Sequence, residues 1–312
     1  MNVVGIDPAP AKGLAVFDGE SFFVCGANPS GHANACDARR YVNDLSERQD
    51  NVLVCWDAPL TGPPDELLHC ESSKSSGNVR PTTVNVLSQR IIDSFFNSEK
   101  GLKAPAGISV LPYSQCSHWT ISRCLTGYPR VGPYDRVDNL PFQLVRFDDR
   151  PFSGKWIVET HPAVAMWLWA KDASLPSLGF ESEADFSWRY KGAGTQSYPT
   201  EHRKKVRQAL WKYLATRPFV QAILDEHPGC VPSREAYISD DQLDSIVSYL
   251  VGRLWLENRG YVQLIGDRDR GAMLLPVTDG EGNRLRFPDA TGVAGNKSLP
   301  ERFDEFSGNA GS

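Results

Sequence analysis

The chain has 312 residues, of which 41% are hydrophobic and 23% are charged, as in ordinary globular proteins. No stretch approaches the roughly 18 apolar residues of a membrane span, and the N-terminus lacks the pattern of a signal peptide, so we expect a cytoplasmic protein with no membrane partner. The net charge of −5 argues against a protein that coats nucleic acid along its whole surface, but it permits a local basic groove.

The sequence before residue 61 predicts short strands that end at acidic residues. The first strand ends at Asp7 and the last at Asp57, and each acid is followed within two residues by proline. The dipeptide at 18–19, Asp-Gly, is typical of a hairpin turn. The predicted strands lie at 3–6, 13–17, 21–25 and 52–56, and a helix is predicted at 38–45.

Residues 61–150 are rich in proline, serine and glycine, with one plausible helix at 84–96, so we interpret them as a long insertion or lid. Beyond it, a strand at 155–158 ends at Glu159, and Pro162 opens the next helix. Further helices are predicted at 201–215, 219–226 and 240–257, and two late strands at 262–265 and 272–275.

This order of elements predicts an α/β fold, a mixed sheet flanked by helices, in one domain of residues 1–277. Residues 278–312 are polar and glycine-rich, and we expect a flexible C-terminal tail. The seven cysteines are odd in number and form no C-x-x-C pair, which indicates neither a disulfide framework nor a zinc ribbon. The sequence does not predict an oligomeric state.

Three predicted strands end at a carboxylate, namely Asp7, Asp57 and Glu159. Each acid has a structural alternative: the two aspartates could organise turns before proline, and Glu159 could cap the next helix. Because ligands bind outside the carboxyl ends of parallel strands, we nevertheless expect the three to converge. Carboxylates crowded in this way repel one another, and Mg²⁺ or Mn²⁺ would remove that repulsion.

The predicted helix at 240–257 adds two acids, because Asp241 and Asp244 lie three residues apart and share one side of it. An aspartate near the helix start is explained by capping. Asp244 lies inside the helix, where aspartate is a poor helix former, and this favours a functional role. Strand-end acids plus a helix acid are the ligands of two-metal phosphodiester chemistry, in which a bridging carboxylate, here Asp7, holds both ions.

Several short motifs resemble the domain-of-unknown-function 429 (DUF429) family, whose members are themselves predicted ribonuclease H-like nucleases. The motifs are GID at 5–7, WDAPL at 56–60, VETHP at 158–162, RYK at 189–191 followed by Arg203 and Arg207, DDQLDSIVSYLVG at 240–252 and GAMLLP at 271–276. The resemblance implies a ribonuclease H-like fold. It also implies a set of metal ligands made of Asp7, Asp57, Glu159 and Asp244, with Asp241 beside them.

Residues 188–217 contain eight lysines or arginines and one acid, which is the best candidate for contacting a phosphate backbone in this acidic chain. A solvated helix face explains the same pattern equally well. We expect Lys191, Arg203 and Arg207 to hold the nucleic acid, with Lys191 the first choice. His161 could contact a phosphate or orient a water, although a structural histidine is at least as plausible.

The leading hypothesis is a Mg²⁺- or Mn²⁺-dependent nuclease that hydrolyses phosphodiester bonds in DNA or RNA, with Asp7, Asp57, Glu159 and Asp244 as catalytic residues. One alternative is an ATP-dependent phosphotransferase of the actin-like type, although no second glycine-rich phosphate loop is found. Another is a binding module for nucleic acid or protein without catalysis. ATP binding would distinguish the phosphotransferase from the nuclease, and a melting temperature that does not respond to Mn²⁺, without turnover, would indicate the binding module.

Overall fold

The computed structural model describes residues 1–9, 13–25, 35–57, 60, 91–108, 141–145, 153–183, 185–191, 199–226, 232–233, 237–257, 260–267, 271–289, 291–293 and 295–310. Only 91–108 and 141–145 of the predicted 61–150 insertion are among them.

The described strands are β1 (Asn2–Ala9), β2 (Gly13–Phe17), β3 (Phe22–Cys25), β4 (Val52–Trp56), β5 (Gln143–Leu144), β6 (Lys155–Glu159), β7 (Val262–Asp267) and β8 (Gly271–Pro276). The described helices are α1 (Ala35–Arg48), α2 (Ile91–Asn97), α3 (Pro162–Ala170), α4 (Thr200–Leu214), α5 (Pro218–Glu226), α6 (Asp240–Glu257) and α7 (Leu299–Ala310), with a 3₁₀ turn at Leu175–Leu178.

Six strands form one mixed sheet in the order β3-β2-β1-β4-β6-β5, and β7 pairs with β8 in a separate antiparallel sheet. Strands β1 to β3 pair antiparallel, whereas β4, β6 and β5 continue from β1 in parallel. The turn between β2 and β3 is the predicted one: Gly19 has φ +91°, and Asp18 accepts hydrogen bonds from the amides of Glu20 and Ser21. The expected mixed α/β architecture is thereby confirmed.

Alternation along the strands divides the core between the two faces of the sheet. One face, which carries Val4, Ile6, Val54, Trp56 and Ile157, packs against Val42 and Leu45 of α1. The other face, which carries Val3, Leu53, Cys55 and Val158, belongs to the larger core that includes α3 and α6. Cys55 is a buried free thiol, as expected for a small core residue, while Cys25 is half-buried.

Helix α6 packs against β1 and β4 with almost no side-chain spacer, because two glycines occupy the contact. A Cβ atom on Gly5 would lie 2.0 Å from the carbonyl oxygen of Ser245 and 2.5 Å from the amide nitrogen of Tyr249. A Cβ atom on Gly252 would lie 2.2 Å from Sγ of Cys55. The backbone of α6 therefore lies directly on the sheet at the strand that carries Asp7.

The segment beyond residue 277 differs from the flexible tail that the composition predicted. Leu285, Phe287, Leu299 and Phe303 are buried in the larger core, and the last two lie on α7. Because these apolar residues are few and widely spaced, the composition of 278–312 remains polar. A few buried side chains are nevertheless enough to pack a helix against the core.

Helix α7 packs on the part of the predicted insertion that contains α2. The rings of Phe303 and Phe95 lie 5.4 Å apart, edge to face, and Arg302 donates hydrogen bonds to the carbonyls of Lys100 and Gly101. The sequence predicted a helix at 84–96; residues 91–96 of it lie in α2, and 84–90 are outside the described residues. Two segments predicted to be peripheral thus support each other.

Among the described residues, every helix is too short or too polar to cross a lipid bilayer.

Candidate metal centre

Strand register brings Asp7 and Asp57 to the same level and the same face of the sheet. Ile6 of β1 pairs with Trp56 of β4, and the amide of Asp57 donates to the carbonyl of Ile6 over 2.8 Å. Each aspartate is the next residue in its chain, so both point away from the α1 face and towards α6.

Asp244 approaches the two strand acids from above the sheet, on α6. The close contact of Gly5 with Ser245 and Tyr249 places this part of the helix over β1. One carboxylate oxygen from each of Asp7, Asp57 and Asp244 lies within 4.8 Å of the others. Among the described aspartates, glutamates, histidines and cysteines, these three aspartates are the group close enough together to hold a metal ion.

The residues Tyr190 and Lys191 complete the centre. The buried Tyr190 hydroxyl donates to Oδ1 of Asp244 over 2.7 Å. The Lys191 ammonium lies 2.6 Å from Oδ2 of Asp244 and 3.5 Å from Oδ2 of Asp57. Sequence reasoning selected Lys191 but missed Tyr190, although both belong to the RYK motif.

Burial and mutual repulsion dominate the electrostatics of the acids. Burial raises the pKa of Asp7 well above its usual range; Lys191 opposes this shift, and Asp244 and Asp57 add to it. Burial also raises the pKa of Asp244 to about 7, against the opposing charge of Lys191 and with a further contribution from Asp57. Without further positive charge, Asp7 and Asp244 are therefore harder to ionise at neutral pH than ordinary aspartates.

The basic and phenolic groups respond to the same charges. Burial lowers the pKa of Lys191, but Asp244, Tyr190 and Asp57 raise it by more, so the ammonium stays protonated. Burial, with Asp244 adding to it, raises the pKa of Tyr190, so its hydroxyl stays a hydrogen-bond donor. Both groups thus hold the Asp244 carboxylate in place over a wide pH range.

Glu159 does not join this group, which corrects one prediction. It pairs with Trp56 in the sheet, one position before the level of Asp7 and Asp57, so its side chain points to the α1 face. It is 3% exposed, and its Oε2 accepts a hydrogen bond from the amide of Leu60. The sequence identified a strand that ends in an acid, but one residue of register decides which face that acid occupies.

Thr160, the residue directly after β6, lies at the level of Asp7 and Asp57. Its amide donates to the carbonyl of Trp56 over 2.8 Å, and its buried hydroxyl is 3.0 Å from that of Ser248, one turn after Asp244. Thr160 was not predicted as a site residue. The sequence signal that could have found it is its place directly after the strand that ends at Glu159, as Asp57 directly follows the strand that ends at Trp56.

Asp241 also lies outside the group that shares oxygens within 4.8 Å. It is half-buried in the first turn of α6, and its charge contributes, as the smallest of the named influences, to raising the pKa of Asp7. Asp241 is therefore near the centre, as expected, but the described geometry gives it no place among the three converging carboxylates.

Arg207 was predicted to bind substrate, and the structure instead buries it at 5% exposure. Its three guanidinium nitrogens donate to the carbonyls of Ile238 and Tyr190 and to the hydroxyl of Tyr237. On α4 it follows Val206 on the face turned to the core, so it cannot reach a ligand in solvent. Arg207 therefore stabilises the backbone at Tyr190.

Arg203 and His161 also make local contacts. Arg203 donates to the backbone carbonyl of Lys191, which holds the chain at the candidate centre. His161 is the N-cap of α3, and its Nδ1 accepts from the amide of Val164 at 3.4 Å. Their predicted contacts with a nucleic acid stay predictions.

The three carboxylates fit a small divalent cation. Mg²⁺ lies about 2.1 Å from its oxygen ligands, which places those oxygens about 3 to 4 Å apart, and the three carboxylate oxygens here lie within 4.8 Å of one another. Oδ2 of Asp244 is buried and lies 2.6 Å from the ammonium of Lys191. A buried carboxylate in a group of three acids is suited to metal coordination.

Comparison with known proteins gives a family match over part of the chain. The model of a protein family of unknown function, DUF429, matches residues 143–270. This segment contains Lys191 and Asp244 but neither Asp7 nor Asp57. No curated protein and no solved structure matches the chain. The predicted similarity to DUF429 is confirmed for this segment, and the family description assigns no activity to it.

The register predicts different outcomes for Glu159 and the strand aspartates. We expect Mn²⁺ to stabilise Glu159→Gln as much as the unchanged protein, because the side chain lies on the other face and glutamine can still accept from Leu60. Asp57→Asn should lose most of this stabilisation. Thermal melting with and without Mn²⁺ makes the comparison, and loss of the ion effect in Glu159→Gln would place this residue among the ligands after all.

Proposed function

We propose that the protein is a nuclease that requires Mg²⁺ or Mn²⁺ and hydrolyses phosphodiester bonds in DNA or RNA, with Asp7, Asp57 and Asp244 as the metal ligands. The observation that carries the proposal is the convergence of these carboxylates from two neighbouring strands and a helix, with oxygens within 4.8 Å. A ribonuclease H-like fold is part of the proposal. An antiparallel meander, β1 to β3, continued by parallel strands β4 and β6 supports it.

A divalent ion bound by these acids would polarise the phosphate and lower the pKa of a water, the chemistry that hydrolysis of a phosphodiester needs. The protein's own groups then have separate tasks. Tyr190 orients the Asp244 carboxylate through its hydroxyl, and the rigid contact of α6 with β1 fixes the distance between Asp244 and Asp7. Preorganised groups of this kind need no rearrangement when charge develops.

Lys191 is the group suited to hold the anionic substrate, since its side chain is 42% exposed beside the acids. Other basic residues of the same segment contact groups other than the three acids: Lys204 pairs with Glu201, and Lys205 lies over the ring of Phe180. We therefore place substrate contact at Lys191 rather than along the whole basic segment.

The first test is whether an ion binds the folded protein. We expect Mn²⁺ to raise the melting temperature, and EDTA to reverse this, because an ion bound only by the native state stabilises it by about 2.7 kcal/mol at 100 times Kd. Asp57→Asn should show little of this effect, whereas Glu257→Gln at the far end of α6 should behave like the unchanged protein.

The second test is cleavage. Labelled single- and double-stranded DNA and RNA are incubated with the protein and Mn²⁺ or Mg²⁺, with EDTA as control. We expect cleavage of at least one of these substrates, dependent on the ion. Binding of Mn²⁺ without cleavage of any of them would overturn the nuclease and favour a binding module, and a melting temperature raised only by Mg²⁺ with ATP would favour a phosphotransferase.

A further inference from the structure

The position of Lys191 is that of a bridging cation. Its ammonium lies 2.6 Å from Asp244, on a helix, and 3.5 Å from Asp57, at the end of a strand. These are two of the three acids that converge, and an ion shared by two carboxylates would occupy the same region. A positive charge of the chain itself is therefore already inside the group of acids.

We propose that Lys191 is the permanent second cation of this centre, so that the site binds one divalent ion rather than the two that the acids alone would suggest. The inference rests on the proposed function only in its first part, the binding of a divalent ion by Asp7, Asp57 and Asp244.

Charge balance supports this assignment. Three ionised carboxylates carry three negative charges, and the Lys191 ammonium offsets one of them. The two that remain match a single divalent ion, and a second one would make the centre net positive before any substrate arrives. A bound phosphodiester adds one negative charge, which the half-exposed Lys191 side chain can face.

The backbone around Lys191 is held in a way that suits a fixed cation. Tyr190, at 0% exposure, is tied to Asp244 through its hydroxyl and to Arg207 through its carbonyl. The next carbonyl, that of Lys191, accepts from Arg203. Two arginines of α4 thus anchor consecutive peptide units, so that removing the ammonium from the acids would require breaking these contacts or turning the side chain outwards.

The experiment counts ions. Titration calorimetry with Mn²⁺ is expected to give one site per chain in the unchanged protein and two in Lys191→Met, which keeps the length of the side chain but not its charge. Lys191→Arg, which keeps the charge, should again give one. Lys155→Met is the matched control, since Lys155 begins the strand that ends at Glu159, at the opposite edge of the sheet, and should also give one.

Each result decides a separate point. Two sites in the unchanged protein, seen also as a spin-coupled Mn²⁺ pair by electron paramagnetic resonance, would overturn the role of Lys191 and leave metal binding intact; this measurement needs no variant. One site in a folded Lys191→Met protein would overturn it as well. No binding in either protein would overturn the metal centre itself, and with it the proposed function.

Discussion

Replacing Asp244 with asparagine is expected to abolish detectable cleavage and the stabilisation by Mn²⁺, while the protein stays folded. The change removes a negatively charged ligand and keeps the shape of the side chain, including an Oδ1 that can accept from Tyr190. Loss of one group that stabilises charge at an active site costs about 10² to 10³ in rate, and loss of a metal ligand should cost at least that.

The same variant has a predicted effect on stability without metal. The pKa of Asp244 is about 7 in the folded protein, against 3.8 for an ordinary aspartate, mainly because it is buried. Between about pH 4 and pH 7 the folded chain therefore keeps a proton that the unfolded chain has lost, so stability falls as pH rises through this window. Asparagine cannot lose a proton, and in EDTA the variant should be more stable than the unchanged protein above pH 7.

Melting curves in EDTA from pH 4 to pH 8, and again with Mn²⁺, measure both effects. Asp225→Asn is the matched control, because Asp225 is an exposed aspartate near the end of another helix, α5, and should change neither the pH dependence nor the ion effect. If Asp244→Asn still cleaves nucleic acid at the unchanged rate, Asp244 is not a ligand. If its melting temperature at pH 8 in EDTA is lower than that of the unchanged protein, the charge of Asp244 does not destabilise the metal-free fold.

Sequence patterns identified the strand-end and helix acids but not the face on which each acid lies. Asp7 and Asp57 directly follow apolar runs in the sequence, and their convergence was predictable because parallel strands end at one edge. Glu159 satisfied the same rule and yet lies on the other face, since it pairs with Trp56, one position before the level of Asp7 and Asp57. A shift of one residue reverses the face, and hydrophobic runs do not fix a strand boundary that finely.

The supporting contacts could not be predicted from spacing alone. Arg207 has the charge of a phosphate ligand, but the carbonyls that bury it, those of Tyr190 and Ile238, come from segments distant in the sequence. The C-terminal helix was missed for a related reason. Its composition is polar, and its stability comes from packing Phe303 against Phe95, about 200 residues earlier, which no local pattern reports.

A single methyl group added to Gly5 is expected to reduce both stability and metal binding. The new Cβ would meet two backbone atoms of α6, at 2.0 and 2.5 Å, and a backbone cannot rotate away as a flexible side chain can. Overpacking a core costs about 1–3 kcal/mol, and Gly5→Ala should cost at least that. The only relief is a movement of α6 away from β1, which carries Asp244 away from Asp7.

Two measurements on Gly5→Ala, the free energy of unfolding in EDTA and the affinity for Mn²⁺ at a temperature where the variant is folded, show whether packing and site are coupled. Gly308→Ala is the control, because nothing lies within 4 Å of a Cβ at that exposed position of α7, and alanine should stabilise the helix by at most about 1 kcal/mol. A destabilised Gly5→Ala protein with unchanged Mn²⁺ affinity would mean that α6 gives way elsewhere along its length. A fall in both would show that the glycine before Asp7 sets the distance at which the helix acid meets the strand acids.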